Sequence, residues 1–262
     1  MDTVLRDKFL ELWQKYFPGA AMPVAFYYTD SEKDGTYVKP PKVAHRCVVG
    51  DIAKARTGRA LRFSDESVGC FGGRKYLGFS EGFRPDFEYF LSYGIPGKLE
   101  GERYKKTPRL VKDTMNRMPA FKAPGRYIVF KSWDLLGPDD APEAVVFFGS
   151  PDVISGLFTL ANYDEAELGH VLTPFGAGCS TIVQYPYLEN QKKKPRCVLG
   201  MFDVSARPCV PASDLAFAAP MKKFKRMVAN MGESFLVTHS WDMVRKRLRK
   251  AAETAEKPHR PS

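Results

Sequence analysis

The stretch Ala144-Val145-Val146-Phe147-Phe148 decides the fold class, because a continuous apolar run of this length is typical of a strand that is buried on both faces. Pro151 then opens a helical pattern that continues to about Tyr163. A short strand is predicted at His170-Val171-Leu172-Thr173. This strand–helix–strand order indicates an α/β or α+β protein, with a mixed sheet and helices packed on its faces.

Further elements are predicted on both sides of this stretch. Helices are expected over 3–17, 45–56, 86–93, 107–117 and 233–250, at the start of Cys179-Ser180-Thr181, and from Pro220 onward. Strands are expected at 23–28, 60–63, 127–130 and 197–202. Residues 68–75 are predicted to form a glycine-rich loop. Together, residues 1–250 are predicted to form a single globular domain, followed by a disordered tail at 251–262.

The composition excludes several classes of protein. Hydrophobic residues make up 44% of the 262 residues, which excludes global disorder. No apolar run reaches the roughly 18 residues that a membrane span needs. The first residues, Met1-Asp2-Thr3-Val4-Leu5-Arg6-Asp7, lack the basic and apolar regions of a signal peptide. We therefore expect a cytoplasmic protein of prokaryotic type that has no membrane partner.

The five cysteines do not resemble a disulfide framework, because their number is odd and no export signal precedes them. In a reducing cytosol, each is a small buried apolar residue, a reactive thiol or a ligand of a soft metal. For Cys209 in particular, the buried apolar role is expected.

Three of the cysteines share a local context. Cys47 lies in the first turn of a predicted helix, Cys70 in the glycine-rich loop and Cys179 at a predicted helix start. Thiolates that converge on one centre are what an iron–sulfur cluster, or another soft-metal centre, requires. The absence of any Cys-x-x-Cys pair weakens the case for a zinc ribbon or a thioredoxin-like site. Such a centre could serve a redox partner or a small-molecule ligand.

The same two loops have a second interpretation. Gly72, Gly73 and Arg74 combine free backbone N–H groups with positive charge, and Gly178 and Ser180 stand at a helix start. They predict, as an alternative, a binding module for a phosphate-bearing or other anionic small ligand. A tight structural turn and ordinary capping residues would give the same pattern.

A third interpretation comes from the charge. Forty Lys and Arg against thirty Asp and Glu give a net charge of +10, with basic clusters at 103–109, 192–196, 222–226 and 245–250. These clusters leave nucleic-acid binding or a regulatory role open, although solvated helix faces and turns explain them equally well. His45, two residues before Cys47, could support a metal site. No Gly-x-Ser-x-Gly motif and no pair of catalytic carboxylates stands out, so the sequence does not predict whether the protein is an enzyme, nor its oligomeric state.

A weak internal repeat is also present. Cys47 and Cys179 each open a helix that is followed by a basic turn and a strand, and Cys70 and Cys197 follow at comparable distances. The pattern suggests two related halves, although this order of elements is common enough in α/β proteins to arise by chance.

The order and spacing of several short motifs resemble a known family. They are Arg46-Cys47 with Ala55-Arg56 and Gly58, Cys70 with Gly72-Gly73, Tyr76-Leu77-Gly78-Phe79, Val145-Val146-Phe147-Phe148 with Pro151, Gly178-Cys179-Ser180, and Asp203 with Arg207. Over most of residues 20–230, the chain resembles the prokaryotic family named domain of unknown function 169.

The resemblance implies no particular activity. It does imply that Cys47, Cys70 and Cys179 share a role and that Cys209 does not take part, because the family's pattern includes cysteines at the first three positions. Cys197 fits the pattern less well. A centre held by three cysteines would leave one iron open to a substrate, to solvent or to another residue. Asp203 and Arg207 would then be either structural or ligands of an anion.

Overall fold

The computed structural model describes residues 1–42 and 46–256. Within these ranges the chain forms an eight-stranded mixed sheet with helices on both faces, which confirms the predicted fold class. The strands are β1 Val24–Thr29, β2 Thr36–Tyr37, β3 Ala60–Phe63, β4 Tyr127–Ser132, β5 Ala144–Gly149, β6 Val171–Leu172, β7 Cys197–Gly200 and β8 Leu215–Pro220. The α-helices are α1 Thr3–Tyr16, α2 Val48–Ala55, α3 Phe71–Tyr76, α4 Phe87–Phe90, α5 Pro108–Arg117, α6 Pro151–Asn162, α7 Tyr185–Asn190, α8 Met221–Asn230 and α9 His239–Glu256.

The strand order is β2-β3-β4-β1-β5-β8-β7-β6, which consists of two matching halves. In each half the outermost pair of strands is parallel, and the other neighbours are antiparallel. The halves meet at β1 and β5, which pair antiparallel through Val24–Val146, Ala25–Val145 and Phe26–Ala144. An antiparallel pair at the centre relates the two halves by a two-fold rotation. The related halves that the sequence suggested are therefore present in the topology.

The two faces of the sheet carry separate cores. One core packs α1, α6, α8 and α9 against the sheet, with Phe9, Trp13, Phe147 and Phe224 in contact with one another. The other core holds α2, α3 and the helix that follows Cys179. Both halves contribute strands and helices to each core, so the two halves share their buried surface.

Local signals fix several helix ends. The Asp2 side chain accepts hydrogen bonds from the N–H groups of Val4 and Leu5, as expected of a residue at this position. Thr107 accepts from the N–H of Leu110, and Pro108 occupies the first position of α5. These two helices agree closely with the predicted ranges.

Three local predictions differ from the structure. The sequence does not predict strand β8, because its residues, Leu215-Ala216-Phe217-Ala218-Ala219-Pro220, are rich in alanine and end in proline, which are poor strand formers. The last helix begins at His239 and continues to Glu256, since Ala251 and Ala252 favour a helix. Residues 257–262 of the predicted tail lie outside the described residues. The glycine-rich loop is largely helical, as described below.

Candidate functional site

Cys47 is the residue that caps the start of α2. Its backbone is extended, and the helix begins at the next residue, Val48. The preceding Arg46 pairs with the buried carboxylate of Asp51, with 2.5 Å between Nη2 and Oδ1, and Lys54 pairs with the same oxygen. These ion pairs fix the chain on both sides of the thiol. The helix predicted over 45–56 is therefore present from Val48, and His45 lies outside the described residues.

Cys70 occupies the equivalent position before α3, also with an extended backbone. Its Sγ accepts a hydrogen bond from the N–H of Gly73 over 3.2 Å. Gly72 and Gly73 lie within the helix and not in an open loop, which corrects the prediction for 68–75. Residue 73 is a glycine for a steric reason, because a Cβ built there would lie 2.6 Å from Cγ1 of Val68 and 2.9 Å from Sγ of Cys70. Glycine is needed here for close packing.

Cys179 directly precedes a turn of π-helix, Ser180–Gln184, which continues into α7. The thiol is buried, with 5% of the residue's surface exposed. The N–H of Gly178 donates to Oδ2 of Asp203 over 2.9 Å. A Cβ built on Gly178 would lie 3.1 Å from both Met201 and Ala206. Short π-helical turns occur often at functional sites.

Cys209 ends a 3₁₀ turn, Arg207–Cys209, within the connection between β7 and β8. The guanidinium group of Arg207 donates to the carbonyls of Asp214 and Ala212, which closes this connection into a compact loop. Asp203 holds the other end by accepting from the N–H and the hydroxyl of Ser205. Asp203 and Arg207 therefore have the structural role that the sequence left open.

The structure brings these segments together on one face of the sheet. Helix α2 contacts the 207–209 turn, and α3 contacts the π-helix. A Cβ built on Gly50, in the first turn of α2, would lie 3.5 Å from Cβ of Cys209. A Cβ on Gly73 would lie 3.3 Å from Val48, and one on Gly178 would lie 3.4 Å from Val49. The elements that start at Cys47, Cys70 and Cys179 thus converge.

Electrostatics indicate that the thiols are neighbours. The pKa of Cys47 is raised to about 12, chiefly by burial and to a smaller extent by the nearby thiols of Cys209 and Cys70. Burial also raises the pKa of Cys179 well above its ordinary value, with added contributions from Cys70 and Cys47. Both thiols are therefore protonated near neutral pH unless a cation offsets the negative charge. We refer to Cys47, Cys70, Cys179 and Cys209 as the thiol cluster.

The other two cysteines lie on opposite faces of the sheet. Cys197 is fully buried in β7 within the opposite core, where its Sγ lies 3.8 Å from Sδ of Met227. Its pKa is raised by burial. Cys209, expected to be a buried residue apart from the site, is half-buried beside α2. The repeat partner of Cys70 is therefore Cys209 and not Cys197, because both follow the third strand of their half.

The residues proposed to hold an anion are already engaged. Nε of Arg74 donates to the carbonyl of Val68 and lies 3.6 Å from a carboxylate oxygen of Asp65. The hydroxyl of Ser180 donates to the carbonyl of Ala177 over 2.7 Å, and the N–H of Gly178 is used by Asp203. The donors that an anion would need are thus used to build the local structure.

Among residues 1–42 and 46–256, no group of three or more Cys, His, Asp or Glu side chains is arranged so that it could hold a metal ion. His170 is buried near Glu165, with 3.5 Å between Nε2 and Oε2, and Glu165 also pairs with Lys223. The described part of the chain contains no helix that is both long enough and apolar enough to cross a bilayer.

The fold and the site define a class: an α/β protein whose two-fold mixed sheet carries a cluster of thiols on one face. The sequence profile of the DUF169 family, described as "Uncharacterised ArCR", matches residues 20–230, and the chain belongs to this family. The resemblance stated from the motifs is thereby confirmed. No curated protein and no solved structure matches the chain.

Proposed function

We propose that the protein binds an iron–sulfur cluster, or another soft-metal centre, through Cys47, Cys70 and Cys179, and uses it for redox or small-molecule chemistry. The observation that carries the proposal is the convergence of α2, α3 and the π-helix, each of which starts at one of these cysteines. Thiolates at such positions are the ligands that iron–sulfur clusters prefer.

A cluster fits this arrangement better than a single ion does. The thiols are neighbours, yet the described side chains do not close on a single point as the ligands of one ion must. A cluster spreads its ligands over several iron atoms and so accepts a wider spacing of thiols. Three of the four thiols are half-buried, which leaves the site open to a small ligand or to a redox partner.

The anionic-ligand alternative has weaker support. Its guanidinium, Arg74, already bonds to Val68 and faces Asp65, and its amide at Gly178 bonds to Asp203. A phosphate would have to displace these partners before it could bind.

The nucleic-acid alternative is weakened by the ion pairs of the basic clusters. Arg196 and Lys192 pair with Glu189, and Arg247 pairs with Asp152. Lys223 is fully buried. Several cations of three of these clusters are thus held by carboxylates, whereas binding to phosphates needs free cationic groups.

The test is anaerobic purification, followed by a visible absorption spectrum and by analysis of iron and acid-labile sulfide. We expect a coloured protein that contains both. The variants Cys47→Ser, Cys70→Ser and Cys179→Ser should each lose most of the iron and the colour.

Cys197→Ser is the matched control, because Cys197 is a fully buried thiol on the opposite face of the sheet. It should retain the iron content of the natural protein. If the protein remains free of iron and of other soft metals after reconstitution with iron and sulfide, the proposal is wrong.

A further inference from the structure

The two-fold topology pairs the cysteines of the two halves. Cys47 and Cys179 each precede the helix that connects the second and third strands of their half. Cys70 and Cys209 each follow the third strand, β3 or β7. The register supports this equivalence, because the last residues of β3 and β7, Phe63 and Gly200, pair with the second residues of β4 and β8.

The contacts around the thiols follow the same symmetry. Helix α2, which starts after Cys47, contacts the turn that carries Cys209. The π-helix, which starts after Cys179, contacts α3, which starts after Cys70. In both cases the helix that follows the first cysteine of one half contacts the element that carries or follows the post-strand cysteine of the other half. The contact between α2 and the turn of Cys209 is close, because a Cβ built on Gly50 would lie only 3.5 Å from Cβ of Cys209.

We propose that Cys209 is the fourth ligand of the centre, so that each half supplies two thiolates to one site related by the two-fold rotation. This inference rests on the proposed function, and it adds a ligand that the family resemblance did not assign. A soft-metal centre with four thiolates, such as an iron–sulfur cluster held by four cysteines, is the chemical class that fits.

The packing of three glycines agrees with this pairing. A Cβ built on Gly50 would lie 3.9 Å from Sγ of Cys209, and one built on Gly73 would lie 2.9 Å from Sγ of Cys70 and 3.3 Å from Val48. A Cβ built on Gly178, the residue before Cys179, would lie 3.4 Å from Val49. The segments that carry all four thiols therefore meet at the first turn of α2.

A fourth thiolate changes what the centre can do. With three protein ligands, one metal position stays open to a substrate; with four, all positions are closed by the chain, as in sites that serve structure or electron transfer. The four-thiol site therefore favours electron transfer over chemistry on a metal-bound substrate. The turn held by Asp203 and Arg207 is the element that keeps Cys209 in place.

The experiment compares the natural protein with Cys209→Ser, Cys209→Ala and the control Cys197→Ser, all reconstituted anaerobically with iron and sulfide. Iron and sulfide per chain are measured, together with the thermal unfolding of each variant. We expect both Cys209 variants to contain as little iron as Cys70→Ser. Loss of a residue that only supports a metal ligand lowers metal affinity roughly tenfold or more, and loss of a ligand should lower it at least as much. Cys197→Ser should retain the natural content.

A second measurement uses only the natural chain. In the reconstituted protein, Cys209 should resist alkylation by iodoacetamide, and removal of iron by a chelator should expose it, as read by mass spectrometry. If both Cys209 variants keep full iron, or Cys209 reacts equally with and without iron, the inference is wrong while the proposed function stands. If the natural protein takes up no metal, both fail together.

Discussion

Gly72 and Gly73 are neighbours in α3 but have different surroundings. A Cβ on Gly72 would make ordinary contact with the ring of Tyr76, at 3.6 Å, whereas one on Gly73 would overlap Val68 and the Cys70 thiol. This difference decides whether an alanine at each position stabilises or destabilises the protein.

We therefore expect Gly72→Ala to stabilise the protein by about 0.5–1 kcal/mol, because alanine loses less backbone entropy than glycine when a helix forms. Gly73→Ala should destabilise it by about 1–3 kcal/mol, the typical cost of overpacking, and should reduce metal uptake by moving Cys70. Urea unfolding of the metal-free proteins measures both changes. Equal stabilities of the two variants would contradict the packing described for α3.

The sequence predicts the positions of some cysteines of the thiol cluster but not of others. The role of Cys47 and Cys179 at helix starts could be read from the adjoining apolar patterns and glycines. Cys209 carries no such local signal, because bonds such as that from Arg207 to Ala212 set the shape of its loop but not the place of the loop in the fold. Its partner, α2, is distant in sequence, so proximity to Cys47 follows only from the tertiary fold.

At the level of elements, the junction of α6, β6 and α8 is held by a buried lysine. Nζ of Lys223 lies 2.7 Å from Oε1 of Glu165 and 3.2 Å from Oδ1 of Asp164, and its side chain is fully buried. Arg226 pairs with the same two carboxylates from the exposed side.

Lys223→Met should cost about 3 kcal/mol of unfolding free energy, near the lower end for breaking a buried ion pair, because Arg226 still pairs with the carboxylates. Lys225→Met, on the exposed face of the same helix, should change stability by less than about 0.5 kcal/mol. Urea unfolding at neutral pH distinguishes the two. A Lys223→Met variant as stable as the control would rule out the stabilising role of this lysine.

The same junction predicts a pH dependence. The hydrogen bond from Lys223 holds the pKa of Glu165 below its ordinary 4.5, burial opposes this, and the charges of Lys223, Arg226 and His170 add to the lowering. A depressed carboxyl pKa contributes stability that is present above the ordinary value and is lost as pH falls through the lowered one.

Glu165→Gln should therefore be less stable than the natural protein at pH 6, and the difference should shrink as the pH falls below about 4.5. Urea midpoints of both proteins across this range provide the measurement. The comparison cancels the titration of the carboxyl groups outside this junction, so a constant difference would contradict the prediction.

Elements differ in how much of them the sequence predicts. The apolar run at β5 and the capped helices α1 and α5 follow from local pattern and lie close to the predicted bounds. Strand β8 forms because it fills the position between β5 and β7, and this tertiary demand overrides its weak propensity. Helix α3 packs closely on its neighbours because residue 73 is a glycine. In the sequence alone, the pair Gly72-Gly73 resembles a loop signal.

For the whole molecule, the shared cores make the two halves mutually dependent. The rings of Phe9 and Phe224 lie 5.0 Å apart and those of Trp13 and Phe147 lie 5.1 Å apart, so α1 packs on the second half of the sheet. Each half alone would expose a large part of its apolar surface to water.

We expect fragments 1–137 and 138–262 to be unfolded when expressed separately and to associate when expressed together. Far-ultraviolet circular dichroism and size-exclusion chromatography test this, with the intact chain as reference. Cooperative unfolding of either fragment by itself would show that the halves are independent.

The two connections that follow β3 and β7 differ in length, although they carry equivalent cysteines. The first occupies residues 64–126 and reaches across to the second half, where Tyr104 accepts from the N–H of Ser205 and Lys105 lies over the ring of Phe175. The second occupies only 201–214. An assembly of two identical chains would carry the long connection twice. A fused chain carries it once, so the connections of the two halves can diverge in length and in contacts while their cysteines keep equivalent positions.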